Sequence, residues 1–94
     1  MALEFEWDSA KAASNEAKHG VAFGDAVTVF DDPLSTTVVD PDHSLREERL
    51  VIFGKSRDGR ILAVMHTERG ERVRIISARE ATRAERDAYE EKVL

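Results

Sequence analysis

The sequence predicts an α+β domain: two N-terminal helices packed on a four-stranded, mainly antiparallel sheet, with a C-terminal helix. Three observations predict it. Apolar residues recur at helical spacing before residue 32, strand-like runs bounded by turn residues fill 35–78, and a capping signature opens a last helix at Thr82. Helices gathered before and after a run of strands, rather than alternating with them, are the mark of α+β architecture.

Phe5-Glu6-Trp7 reads as a short strand or an extended lead-in. Asp8 or Ser9 then caps a helix through Lys18, and His19-Gly20 ends it, with Gly20 free to adopt the left-handed cap. Along this helix Ala10, Ala13 and Ala17 form a narrow packing stripe, and Lys11, Asn15 and Lys18 form a polar one. Phe23, Ala26, Val27 and Phe30 repeat at i, i+3, i+4 and i+7, which predicts a second helix from Phe23 to Asp31. Gly24 weakens it, and Asp31-Asp32-Pro33 stops it because the residue before a proline is pushed out of the α region.

Four strands are expected next, at Ser35–Val39, Arg49–Gly54, Arg60–Thr67 and Arg72–Ala78. Pro41 and the Asp-rich stretch Asp40–Ser44 separate the first two, and Asp58-Gly59 makes a tight turn between the second and third. Glu68-Arg69-Gly70 joins the third to the fourth. A three-residue loop there, with Gly70 in a left-handed bulge, pairs Thr67 with Glu71 and collects Ile61, Ala63, Met65, Val73 and Ile75 on one face. Leu62, Val64, His66, Arg72, Arg74 and Ile76 then share the other face. A two-residue loop instead buries His66 among Val73 and Ile75. The first register is preferred because it keeps both arginines off the core. The last helix starts at Thr82, whose capping box is completed by Glu85, with Ala84, Ala88, Tyr89 and Val93 facing inward.

Ninety-four residues make one domain, spanning 1–94, with a modest core drawn from Trp7, Phe23, Phe30, Phe53, Leu62, Ile75 and their neighbours. Cysteine is absent, which excludes disulfides and thiolate metal sites. No apolar run is long enough to span a bilayer or to serve as a signal peptide, so a cytoplasmic protein without membrane partners is expected. The net charge of −5 is unevenly spread. Residues 1–50 hold four Lys/Arg against eleven Asp/Glu, residues 51–80 hold seven against four, and residues 81–94 hold three against four. A basic stretch on an acidic body suits a polyanion at one surface and a basic protein at another. Asp40, Asp42 and His43 place hard donors and an imidazole within four residues, but Asp-rich turns have a backbone explanation and no second cluster accompanies them. No metal and no cofactor are expected.

The combination Trp7-Asp8, Lys11, Asn15, Lys18-His19-Gly20-Val21, Phe23, Phe30-Asp31-Asp32-Pro33, Glu48-Arg49 and Arg74-Ile75-Ile76-Ser77-Ala78-Arg79, followed by Glu85-Arg86 and Tyr89, resembles the BrnT family. The resemblance extends from about residue 5 to residue 91. It implies a toxin of a bacterial type II toxin–antitoxin pair, with a RelE-like ribonuclease fold that inhibits translation by cutting RNA. It also implies a BrnA-like antitoxin that neutralises the toxin, the complex binding operator DNA through the antitoxin alone. Two positions depart from the family pattern. Ala22-Phe23-Gly24-Asp25 lacks the usual Ser-x-x-Glu cap, and Glu80 stands where a basic residue is common.

Metal-independent RNA cleavage needs a base for the 2′-hydroxyl, cations for the phosphorane charge, and an acid for the leaving 5′-oxygen. With the resemblance, Arg79 is the expected phosphate grip, because guanidinium offers a planar fork of donors. Histidine is the side chain suited to proton exchange near neutral pH, so His19, with Glu48 beside Arg49, is a candidate for acid–base work. Lys18, Arg49, Arg74, Arg83 and Tyr89 are expected to contact RNA. An alternative function is a non-catalytic partner-binding module that acts only within a DNA-binding repressor complex. A metal-dependent hydrolase would rest on the Asp40–His43 loop alone.

Overall fold

The computed structural model describes residues 3–40 and 48–91. In chain order the elements are β1 (Glu4–Glu6), α1 (Ser9–His19), α2 (Phe23–Ala26) continuing as a 3-10 helix (Val27–Asp31), β2 (Thr36–Val39), β3 (Leu50–Lys55), β4 (Ile61–Arg69), β5 (Arg72–Glu80) and α3 (Arg83–Glu91). The five strands form one sheet in the order β1-β5-β4-β3-β2. The expected sheet had four strands; the fifth is the N-terminal lead-in, which joins β5 in parallel and makes the sheet mixed. Charge and packing both fit the pairing, since Phe5, opposite Val73, packs against the core. Glu4 and Glu6 lie opposite Arg72 and Arg74, and ion pairs of 3.4 and 3.1 Å follow from that register.

Helix α1 has the predicted ends. Asp8 Oδ1 accepts from the N–H groups of Ala10 and Lys11 at 2.8 and 3.0 Å, and those bonds hold its carboxyl below the usual range. Gly20 closes the helix at φ +69°, its N–H donating to Glu16 O at 2.8 Å. The buried face is not the alanine stripe, however. Ala10, Ala13 and Ala17 are exposed, while Ala12 and Asn15 turn inward.

The second helix is shorter and tighter than its periodicity predicts. Ala22 supplies no side-chain cap, and after Ala26 the chain tightens into 3-10 turns. Thr28 Oγ1 donates to Asp25 O at 2.6 Å there, a local bond that competes with regular helix. The apolar face survives in part: Phe23 and Ala26 are buried against the sheet, Val27 and Phe30 only partly, and Val29, outside the predicted stripe, is buried with them because the 3-10 turns shift the phase.

The hairpin between β4 and β5 corrects the preferred register. Arg69 pairs with Arg72 across a two-residue turn in which Gly70 has φ +63°. Thr67 therefore faces Arg74 rather than Glu71, and His66 faces Ile75. One extra residue in β5, Ile76, has no partner and forms a β-bulge between the Met65–Ser77 and His66–Ile75 pairs. The bulge reverses the alternation. Val73 and Ile75 point to the core on one side of it and Ala78 on the other, joined by Leu62, Val64 and His66. Arg74 and Arg79 thereby share the opposite face, which a regular strand would not allow for an even and an odd position. Arg72 and Arg74 avoid the core, as expected, by a route that also buries His66 completely.

That second face is partly covered by α3. Tyr89, buried, sends its hydroxyl to Asp32 Oδ2 at 2.5 Å, and Phe53 lies beneath Ala88 and Tyr89. Ala84 and Ala88 are exposed, contrary to expectation, and Val93 lies outside the described residues. Trp7 is 39% exposed and stacks edge-on against Phe23 rather than joining the core.

Candidate functional site

The bulge residue Ile76 lines two clefts that carry cationic side chains. On one side, Ile76 and Ser77 line a cleft against α1 that includes Lys11, Ser14, Lys18 and His19. On the other, the same two residues line a cleft on the open sheet face with Arg49, Met65, Arg79 and Asp40. The clefts meet at Ser77. Cations from α1, β5 and the start of β3 therefore flank one short stretch of backbone.

Two contacts fix this relationship. Asn15, buried, donates to Val21 O at 3.0 Å and to Ala78 O at 2.9 Å, and accepts from Ala78 N–H at 3.1 Å. It bolts α1 to β5 between Ser77 and Arg79. Arg60 secures the helix end: its NH1 donates to Gly20 O at 3.0 Å while its Nε meets Asp58 Oδ2 at 2.8 Å. The same Arg60 stands 3.7 Å from Glu80 Oε2. Glu80 points to the face opposite Arg79, as strand alternation requires, so the acidic residue beside Arg79 does not enter the clefts.

Arg79 is itself engaged. NH1 donates to Glu85 Oε1 at 2.7 Å and to Glu80 O at 3.2 Å, and NH2 donates to Glu85 Oε2 at 3.1 Å. This bidentate bond raises the Arg79 pKa above its ordinary value and holds the Glu85 carboxyl below its own. Glu85 Oε1 also accepts from Thr82 N–H at 2.8 Å, and Glu85 N–H donates to Thr82 Oγ1 at 3.2 Å, which is the predicted capping box.

Of the residues singled out in the sequence, Lys18 and His19 line one cleft and Arg49 and Arg79 the other, and the two clefts have Ile76 and Ser77 in common. Arg74 shares the sheet face of Arg79 but is paired with Glu6. Glu48 is exposed just before Arg49 and lines neither cleft. Arg83 is exposed at the start of α3. Tyr89 is spent on structure: burial, then the Asp32 carboxylate, push its hydroxyl up to about 12. For Asp32, burial pushes the carboxyl up, but bonds from Lys55 N–H, Tyr89 OH and Leu34 N–H outweigh it and hold the group below its usual value. Of the metal-like trio, Asp42 and His43 lie outside the described residues, and among the described residues no cluster of His, Asp or Glu fits a metal.

Three contributors were not singled out as site residues: Lys11, Ser77 and Glu85. The first belongs to the polar stripe of α1, the second sits inside the Arg74–Arg79 run, and the third was read only as a cap. Beyond the cationic clefts, an apolar cleft lies between α3 and the sheet, lined by Thr36, Phe53, Glu85, Ala88 and Tyr89. It offers no cation to a phosphate.

Comparison with known proteins places the chain in a family. The family model for the ribonuclease toxin, BrnT, of type II toxin–antitoxin systems matches residues 7–85. Among solved structures, the chain is similar to the ribonuclease toxin BrnT of Brucella abortus, a crystal structure at 1.1 Å. The two are 27% identical with a TM-score of 0.63, over 87% of this chain and 100% of that one. No curated protein matches.

Proposed function

Because the chain belongs to the BrnT family of ribonuclease toxins of type II toxin–antitoxin systems, we propose that it cuts RNA where its two cationic clefts meet at Ser77. RNA is its substrate class and an antitoxin its protein partner, as that membership carries with it. The observation that supports the location is the sharing of Ile76 and Ser77 by both clefts, with Lys11, Lys18 and His19 on one side and Arg49 and Arg79 on the other.

In this reading a scissile phosphate sits over Ser77. Arg79 and Arg49 oppose the charge that builds on the phosphorane, a role in which preorganised donors contribute most. Lys11 and Lys18 track the neighbouring phosphates. His19 exchanges protons with the 2′-hydroxyl or the 5′-oxygen, since an imidazole serves either duty near neutral pH. The 2′-hydroxyl gives up its proton as its oxygen bonds to phosphorus, the bond to the 5′-oxygen breaks, and the departing oxygen takes up a proton, water accepting or supplying the proton at the end His19 does not serve. Glu48, outside the clefts, has no part in this scheme. The charge of the site is met by side chains, so the chemistry is read as metal-independent.

Three further features complete the proposal. The α+β fold is read as a RelE-like variant whose action on RNA stops translation. The antitoxin is read as BrnA-like, with operator DNA reached through it alone. Its contact surface is assigned to the acidic half, residues 1–50, where eleven Asp/Glu outnumber four Lys/Arg.

The decisive experiment is expression with and without the antitoxin, followed by RNA integrity measurement. Wild-type protein is expected to arrest growth and fragment RNA, with relief on co-expression. Soluble, folded Arg79→Ala protein is expected to do neither. Undiminished RNA cleavage by Arg79→Ala would remove the proposed site.

A further inference from the structure

We propose that Glu85 is a positioning residue for cleavage: it holds one edge of the Arg79 guanidinium so that the other edge stands ready for phosphate. The inference rests on the cleavage site assigned above and extends it to a carboxylate that a capping role alone had explained.

A guanidinium carries five N–H groups. Two of those on Arg79 go to Glu85, at 2.7 and 3.1 Å, and one goes to Glu80 O at 3.2 Å. The bonds to Glu85 come from NH1 and NH2, the terminal edge of the group. What remains is Nε–H and the second N–H of NH2. These two lie side by side on the lateral edge and form a second fork, matched to two phosphate oxygens. Arg79 is thus paired and still able to bind.

The carboxylate is well suited to this task because it is fixed at its own end. Glu85 Oε1 accepts from Thr82 N–H at 2.8 Å at the entry to α3. The Glu85 carboxyl is held below its ordinary pKa by the bond from Arg79, against a smaller opposing effect of burial. It therefore stays charged at neutral pH. An arginine free of such a partner samples many rotamers, and each sampled orientation away from the phosphorane weakens the transition state more than the ground state. Arg79 is about one-third exposed at its side chain, so packing alone does not fix it.

The opposite possibility is physically clear. If Glu85 competes with phosphate for the guanidinium, removing it speeds cleavage. The two cases differ in sign.

The test compares wild type, Glu85→Ala, Glu85→Gln and Thr82→Ala on one RNA oligonucleotide, with kcat and KM measured separately and folding checked by circular dichroism. Thr82→Ala removes the hydroxyl half of the capping box and leaves the Arg79–Glu85 bond in place, so it reports the cost of a loosened helix start. Expected is a fall in kcat of about 100-fold for Glu85→Ala, the scale of a small misplacement at a reacting centre. KM changes little, Glu85→Gln lies between, and Thr82→Ala stays near wild type. A Glu85→Ala kcat at or above wild type would overturn the assignment in favour of competition. So would an equal loss in Thr82→Ala, which would reduce Glu85 to a cap. Both results leave the cleavage site standing, whereas wild-type protein that leaves RNA intact would overturn the site and this inference together.

Discussion

Asn15 and Ala78 exchange two hydrogen bonds, 63 residues apart in sequence, and this pair aligns the α1 side of the proposed site with its β5 side. Asn15 also holds Val21 O. Replacing it by Leu leaves three backbone groups without their partner in a buried place, each costing roughly 1–3 kcal/mol. Some of those groups will reach solvent, so the expected loss is about 3 kcal/mol in urea unfolding. Cleavage should fall further than the unfolded fraction accounts for, because Lys18 and His19 lose their alignment with Arg79. Unchanged stability in Asn15→Leu would show that the contact contributes nothing net.

His66 makes the fold sensitive to mild acid. Its ring is fully buried, 4.9 Å from the Phe30 ring, and burial pushes its pKa below the ordinary 6.5. The contact of Nδ1 with Val64 O at 3.1 Å and Glu68 Oε2, 3.7 Å from Nε2, oppose that shift without cancelling it. Below about 6.5 the unfolded chain therefore binds a proton that the folded chain refuses. Stability is fully present above that pH and declines as pH falls towards the lower folded value. Urea midpoints measured from pH 7.5 to 5.5 should fall for wild type and flatten for His66→Leu. The depressed carboxyls of Asp8, Asp32 and Glu85 act only at more acid pH, so they leave this window clear.

Local signals in the sequence carried the elements that depend on neighbours within a few residues. The Asp8 and Gly20 caps of α1 and the Thr82–Glu85 box are of this kind, and each stands where its residue chemistry puts it. What escaped was set by partners far along the chain. No local pattern marks Ile76 as an unpaired bulge residue, because a bulge exists only relative to the β4 strand opposite. Without it, Arg74 and Arg79 cannot be placed on one face, nor His66 reconciled with the core. The same reasoning covers β1, whose three residues become a strand through their match to Arg72 and Arg74. At the proposed site, the family resemblance, together with residue chemistry, pointed to Arg79, His19, Lys18 and Arg49. The pairing of Arg79 with Glu85 and the withdrawal of Tyr89 to Asp32 required the packing of α3.

Arg49 offers a test of the clefts that does not depend on catalysis. No ion pair occupies its side chain among the described residues, and it lines the same cleft as Arg79. Arg49→Ala should weaken binding to single-stranded RNA and reduce the slope of log K against log salt by about 0.7, the value for one phosphate contact on a single strand. Fluorescence anisotropy with a labelled non-cleavable RNA, titrated at several salt concentrations, measures both. An unaltered slope would place Arg49 outside the RNA path.

Gly54 shows how far the site's geometry depends on a close approach elsewhere. A Cβ at this position meets Val29 Cγ1 at 2.8 Å, Ser35 Cβ at 3.0 Å and Asp32 Oδ2 at 3.2 Å. None of these yields easily. Val29 is fully buried, and Asp32 is held by Lys55 N–H at 2.8 Å, Leu34 N–H at 2.9 Å and Tyr89 OH at 2.5 Å. Gly54→Ala should therefore destabilise by about 1–3 kcal/mol, the usual cost of overpacking. Val29→Ala removes the nearest atom and costs stability by itself, so the double variant should lose less than the two single losses combined, with a coupling of about 0.5–3 kcal/mol. Strict additivity would show that the strain is relieved through Asp32 instead. In that event the displacement reaches α3 through Tyr89, and with it Glu85 and the orientation of Arg79. Cleavage would then fall in Gly54→Ala beyond what its stability predicts, and Tyr89→Phe, which unties α3 from Asp32, would reproduce the loss.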